Sequence, residues 1–132
     1  MTKDKIINVL VVGAGHMGTS HARAYHALPN VQICGVVTRS IDSAASLLSE
    51  LGPLPHFTNL STALAETKPD AVSISSYTET HHPFSIEALE AGCHVFVEKP
   101  LAENVQNARH IAETAQKLNL KIVVGYILRH HP

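Results

Sequence analysis

Three short stretches carry residue types and spacings able to do chemistry. The first is Gly13-Ala14-Gly15-His16-Met17-Gly18, a Gly-x-Gly-x-x-Gly pattern directly behind the apolar run Ile7–Val12. In a strand–turn–helix setting each glycine has a task. Gly13 permits the tight turn, Gly15 leaves the backbone bare for a pyrophosphate, and Gly18 lets the helix pack closely on the strand. A helix starting at His16-Met17 would aim free N–H groups and its positive dipole end at the anion. The pattern points to dinucleotide binding. The second stretch, Thr38-Arg39-Ser40, follows the apolar run Val31–Val37, where an Asp or Glu commonly holds the ribose hydroxyls of NAD. No acid appears here before Asp42. Arg39 can pair with a 2′-phosphate through its planar fork, with donors from the Thr38 and Ser40 hydroxyls, so NADP(H) is favoured and NAD(H) is second. The bland alternative is a solvated arginine beside a helix cap. The third stretch is Glu98-Lys99-Pro100. A lysine held between an acid and a proline at a strand end could act on a substrate, and the Lys–Pro bond could be cis. It could equally be a surface loop with an ordinary ion pair.

The elements that must position these residues are legible as an alternation. Strands are expected at Ile7–Val12, Val31–Val37, His56-Phe57, Ala71–Ser76, His94–Val97 and Lys121–Tyr126. Helices are expected at 17–28, from Ser40 or Asp42 to Leu51, around Leu60–Lys68, from the first turn at Pro83 to Ala91-Gly92, and from Asn104 to about Leu118. Short apolar strands alternating with helices predict parallel βαβ units: a doubly wound, three-layer α/β/α sheet in the order 3-2-1-4-5-6. Each polar motif then falls just after a strand, including Ser75–His81 after the fourth and Arg129-His130-His131-Pro132 after the sixth. All would lie on the carboxyl rim, where open parallel sheets bind ligands.

The totals set bounds. The 132 residues suffice for one domain with a substantial core, and a net charge of −1 leaves no electrostatic footprint for nucleic acid or anionic membrane. No apolar stretch approaches a membrane span, and the N-terminus runs into the first strand without a signal-peptide pattern. Cys34 and Cys93 lack Cys-x-x-Cys spacing and read as small fillers in a reducing, cytoplasmic setting. Of ten histidines, His21 and His26 are five apart, off one helix face, so no metal site is expected.

Taken in order, these features resemble the N-terminal domain of the glucose–fructose oxidoreductase / inositol dehydrogenase / MocA-like oxidoreductases. The resemblance rests on Gly13–Gly18, on Ser76-Tyr77-Thr78 with His81, and on Ala88–Val95. Glu98-Lys99-Pro100-Leu101-Ala102 and the ending Gly125–Arg129 complete it. It implies a Rossmann fold, a nicotinamide dinucleotide cofactor, and hydride transfer to or from a secondary alcohol of a sugar, inositol or similar polyol. By the same resemblance Lys99 is the catalytic lysine, and Ser75, Ser76, Tyr77 and His81 run past the nicotinamide ribose, with Glu98 beside Lys99. Tyr77 departs from the proline usual there. The family usually continues into an open-faced sheet domain that binds substrate, supplies a His/Asp pair for proton transfer and mediates association into oligomers. Residues 1–132 would therefore be the cofactor domain, binding NAD(P) and turning over little alone. A different class of reading is a non-catalytic NAD(P) sensor, which would need the glycine turn but no lysine at the nicotinamide.

Overall fold

The computed structural model describes residues 5–125. Six strands, β1 (Ile7–Val12), β2 (Val31–Val37), β3 (His56–Phe57), β4 (Ala71–Ile74), β5 (His94–Glu98) and β6 (Ile122–Gly125), form one sheet in the order β3-β2-β1-β4-β5-β6. Every pairing is parallel. The order reverses direction between β1 and β4, which is where such a sheet opens a crevice at its carboxyl edge.

Five helices, α1 (His16–Ala27), α2 (Ile41–Leu51), α3 (Leu60–Thr67), α4 (Thr78–Glu90) and α5 (Val105–Lys117), alternate with the strands. The apolar stretch Val9–Val12 of β1 serves both faces. Val9 and Val11 pack with Ala22 of α1 and Ala44 and Leu47 of α2. Leu10 and Val12 pack with Leu60 of α3, Leu89 of α4 and Ile111 of α5. This period-2 division is the physical reason for three layers. Truncating Leu10, which has no exposed surface, would cost about 2–5 kcal/mol. The side chains of Ser40, Asn59 and Asn104 cap α2, α3 and α5 by accepting from the backbone N–H groups of Ser43, Thr62 and Asn107. Such caps each contribute about 1 kcal/mol.

Two expected boundaries are corrected. β4 ends at Ile74 instead of Ser76. Ser75 N–H still donates to the Val12 carbonyl (2.8 Å), but Ser76 turns away, its hydroxyl 2.6 Å from that of Thr80. That local bonding starts α4 at Thr78, so Pro83 sits inside the helix, not in its first turn. The proline leaves the Glu79 carbonyl without its intrahelical donor, and the helix continues because Ala88 and Leu89 are fully buried in the core. Smaller shifts move α1 one residue earlier and extend β5 to Glu98. Ser40, not Asp42, caps α2. The segment 126–132, with Arg129, His130 and His131, lies outside the described residues.

Candidate dinucleotide site

The glycine turn divides into positions the fold requires and one it does not. Gly13 has φ +95°, and a Cβ there would stand 2.8 Å from the Ser75 carbonyl carbon. A Cβ on Gly18 would collide with the Gly13 carbonyl. Packing alone explains both. Gly15 is different: a Cβ there meets no atom of the described residues within 4 Å, and its φ of −75° suits any residue. Its bareness fits a ligand at the backbone. α1, which starts just after it, has no side-chain cap and no acid in its first turn. Its first N–H groups, including those of His16 and Met17, lack helical acceptors. An anion is the partner they suit.

A groove of about 650 Å³ opens from this turn, lined by Gly13–Gly15, Thr38, Arg39, Ser43 and Ser75–Tyr77, with Leu60 and Phe84 adding apolar wall. That volume lies within the range of about 300–1,000 Å³ typical of small-molecule sites. Arg39 and Glu79 are the charged side chains among its described lining. The Arg39 guanidinium carbon lies 4.6 Å from the Tyr77 ring centroid. Sequence reasoning counted the Thr38 hydroxyl as a free donor, and the structure corrects this. It donates to the Ser40 carbonyl (2.5 Å) and sits 2.7 Å from His56 Nε2. Ser40 Oγ accepts from Ser43 N–H and lies 3.1 Å from Ser43 Oγ. His56 and Ser43 were not anticipated. The signal for His56 was available only through pairing, since β3 lies beside β2 with Val36 opposite His56.

The other end of the rim is built differently. The Lys99–Pro100 peptide is cis, and the Lys99 side chain is exposed. Glu98 points to the α1 face, where its Oε1 is 3.2 Å from His21 Nε2, with side chains only 12% and 21% exposed. The His21 ring stands edge-on to Phe96, with centroids 4.9 Å apart. A Cβ at Gly125 would come within 2.6 Å of Glu98 Oε1, so a side chain there would push the carboxylate aside. Nearby, burial pushes the Tyr25 phenol above its ordinary value, and it donates to Ser73 Oγ at 3.0 Å. His21 was likewise missed, because its partner is 77 residues away.

The residues expected along the nicotinamide ribose do not stay together. Ser75 and Ser76 line the groove, and Ser75 Oγ is buried without a hydrogen-bond partner among the described residues. Tyr77 faces Arg39. His81 is 1% exposed, its Nδ1 2.7 Å from the Pro100 carbonyl and its Nε2 3.0 Å from the Ser76 carbonyl. It therefore ties the turn after β5 to the loop after β4. Among the described residues no three His, Cys, Asp or Glu side chains converge as a metal site, and no helix is long and apolar enough to cross a membrane. Cys93 is buried, its thiol pushed up to about 11 chiefly by burial, and its Sγ donates to the Pro69 carbonyl.

Comparison with known proteins agrees with this geometry. UDP-N-acetylglucosamine 3-dehydrogenase of Acidithiobacillus ferrooxidans is 36% identical over 122 residues, covering 92% of this chain and 37% of that protein. Inositol 2-dehydrogenase of Corynebacterium glutamicum is 33% identical over 130 residues, covering 97% and 39%. Among solved structures, GenD2 from gentamicin A biosynthesis, in complex with NAD, superposes with a TM-score of 0.86 at 31% identity, covering 92% and 34%. The chain thus spans well under half the length of these relatives. Residues 7–126 match the family described as "Oxidoreductase family, NAD-binding Rossmann fold". The chain belongs to that family, and residues 7–126 form its NAD-binding domain.

Proposed function

We propose that the protein is an NADP(H)-preferring dehydrogenase acting on a secondary alcohol of a sugar, inositol or related polyol, with Lys99 as the catalytic side chain. The observation that carries the cofactor preference is Arg39, which overhangs the groove just past the end of β2. A ribose-binding acid at the strand end would repel a 2′-phosphate; the guanidinium fork would bind it. Gly15 and the first N–H groups of α1 hold the pyrophosphate. Ser75 and Ser76 face the cofactor further along the groove. The relatives' printed names support the substrate class.

The bound nicotinamide supplies or accepts the hydride. Lys99, exposed at the rim beyond β5, hydrogen-bonds the reacting hydroxyl and assists departure of its proton. Glu98 is drawn by His21 to the α1 side, which leaves Lys99 facing the substrate without a competing carboxylate from its own turn. The two free thiols fit the reducing cytoplasm.

Titration with NADPH and NADH, then a polyol and nucleotide-sugar screen on the intact protein, tests the reading. Arg39→Asp is expected to weaken NADPH about 10- to 100-fold, as loss of a charged hydrogen bond does, and to invert the preference. Unchanged NADPH affinity in that variant would refute the NADP assignment.

A further inference from the structure

Tyr77 and Arg39 leave the sheet after β4 and β2, and β1 lies between those two strands. Their side chains meet nonetheless, 4.6 Å from guanidinium carbon to ring centroid. The contact passes over the C-terminal end of β1, across the mouth of the groove that both residues line. Packing does not force them together: Tyr77 keeps 58% of its surface exposed and Arg39 is exposed as well. The attraction of a cation for a ring face accounts for the contact.

Arg39 is also the one cationic side chain among the described residues lining the groove. The neighbouring hydroxyls are engaged, Thr38 with Ser40 and His56, Ser40 with Ser43. A free arginine would lose much rotamer freedom on meeting an anion. One already resting on a ring loses less, and the saving appears as affinity.

We propose that Tyr77 sets cofactor preference through Arg39. The ring holds the guanidinium across the groove, where its fork meets the 2′-phosphate of NADP(H). NAD(H) carries a hydroxyl at that position and gains nothing from the pair. The proposal rests on the NADP(H) reading above and adds a specificity-determining residue to it. It also moves Tyr77 to the adenosine end of the groove.

The test is fluorescence titration of the intact protein with NADPH and with NADH, for the wild type, Tyr77→Phe, Tyr77→Ala, Arg39→Ala and the double variant. Tyr77→Ala is expected to weaken NADPH about two- to fivefold, the size of an exposed cation–π contact, while NADH stays within experimental scatter. Tyr77→Phe keeps the ring and the wild-type ratio, and in the Arg39→Ala background Tyr77→Ala has no further effect. Equal losses for the two cofactors, or a Tyr77 effect that persists without Arg39, overturn the proposal. Both cofactors are read on the same folded preparation, so a general loss of structure cannot mimic a changed ratio. If Arg39→Ala leaves the NADPH-to-NADH ratio untouched, the underlying NADP(H) reading fails instead.

Discussion

The two ends of the carboxyl rim are made of different materials. At the β1–β2 end the site is largely backbone: a glycine turn fixed by packing, uncapped helical N–H groups, and a groove with definite walls. At the β5 end it is side chain: an exposed lysine on a cis-proline turn, with its neighbouring acid bound by a histidine. The first end is visible among the described residues 5–125. The second sets an exposed lysine at the rim, outside the described residues that line the groove. A turn fixed by packing keeps its shape without a ligand, whereas an exposed lysine on a turn keeps its rotamer freedom. The domain divides its sequence accordingly.

Variants at each end sharpen or break this contrast. The largest effect is expected from Lys99→Ala in the intact enzyme. Loss of a general acid–base group should lower kcat about 10²- to 10⁴-fold with cofactor Kd nearly unchanged, read by steady-state kinetics beside direct titration. A parallel loss of cofactor affinity would mean that the lysine belongs to the anchoring end. Next is the pair Gly15→Ala and Gly18→Ala. A methyl at Gly15 meets no atom of the described residues, so stability should hold within about 1 kcal/mol. Cofactor affinity should fall about ten- to a hundredfold from crowding at the ligand. Gly18→Ala forces the Gly13 carbonyl aside and should cost about 1–3 kcal/mol of stability. Thermal melts with and without NADPH separate the two; equal melting behaviour would erase the distinction between ligand-driven and fold-driven glycines.

The smallest effect lies off the rim. His82 and His110 meet across α4 and α5, with Nε2 and Nδ1 2.9 Å apart. Partial burial and the neighbouring imidazole hold His82 below its ordinary value of 6.5. The folded chain therefore takes up that proton less readily than the unfolded chain. No penalty exists above about pH 6.5; it grows as pH falls through that value toward the depressed one. Between pH 7 and 5, Tm should fall about one degree more in the wild type than in His82→Gln, with both ends of the rim unaffected.

Much of this was legible from the chain alone, for a local reason. Strand order followed from apolar runs alternating with helices, and the glycine turn is a contiguous motif whose task is set within six residues. What escaped prediction was non-local. Arg39 meets Tyr77, Thr38 meets His56 and His21 meets Glu98 only because sheet register brings together segments distant in sequence. Pro83 misled because the start of α4 is decided by hydroxyl bonding at Ser76 and Thr80 together with core packing, which outweigh the local preference of proline.

One buried imidazole has a mechanical consequence. The His81 ring lies between the Ser76 carbonyl, next to Tyr77, and the Pro100 carbonyl, next to Lys99, and its N–H donates to one or the other according to tautomer. The loop after β4 and the turn after β5 are thus strung on a single peg. Because that peg projects from α4, displacement of either segment is passed to the other through the ring and is resisted by the helix that carries it.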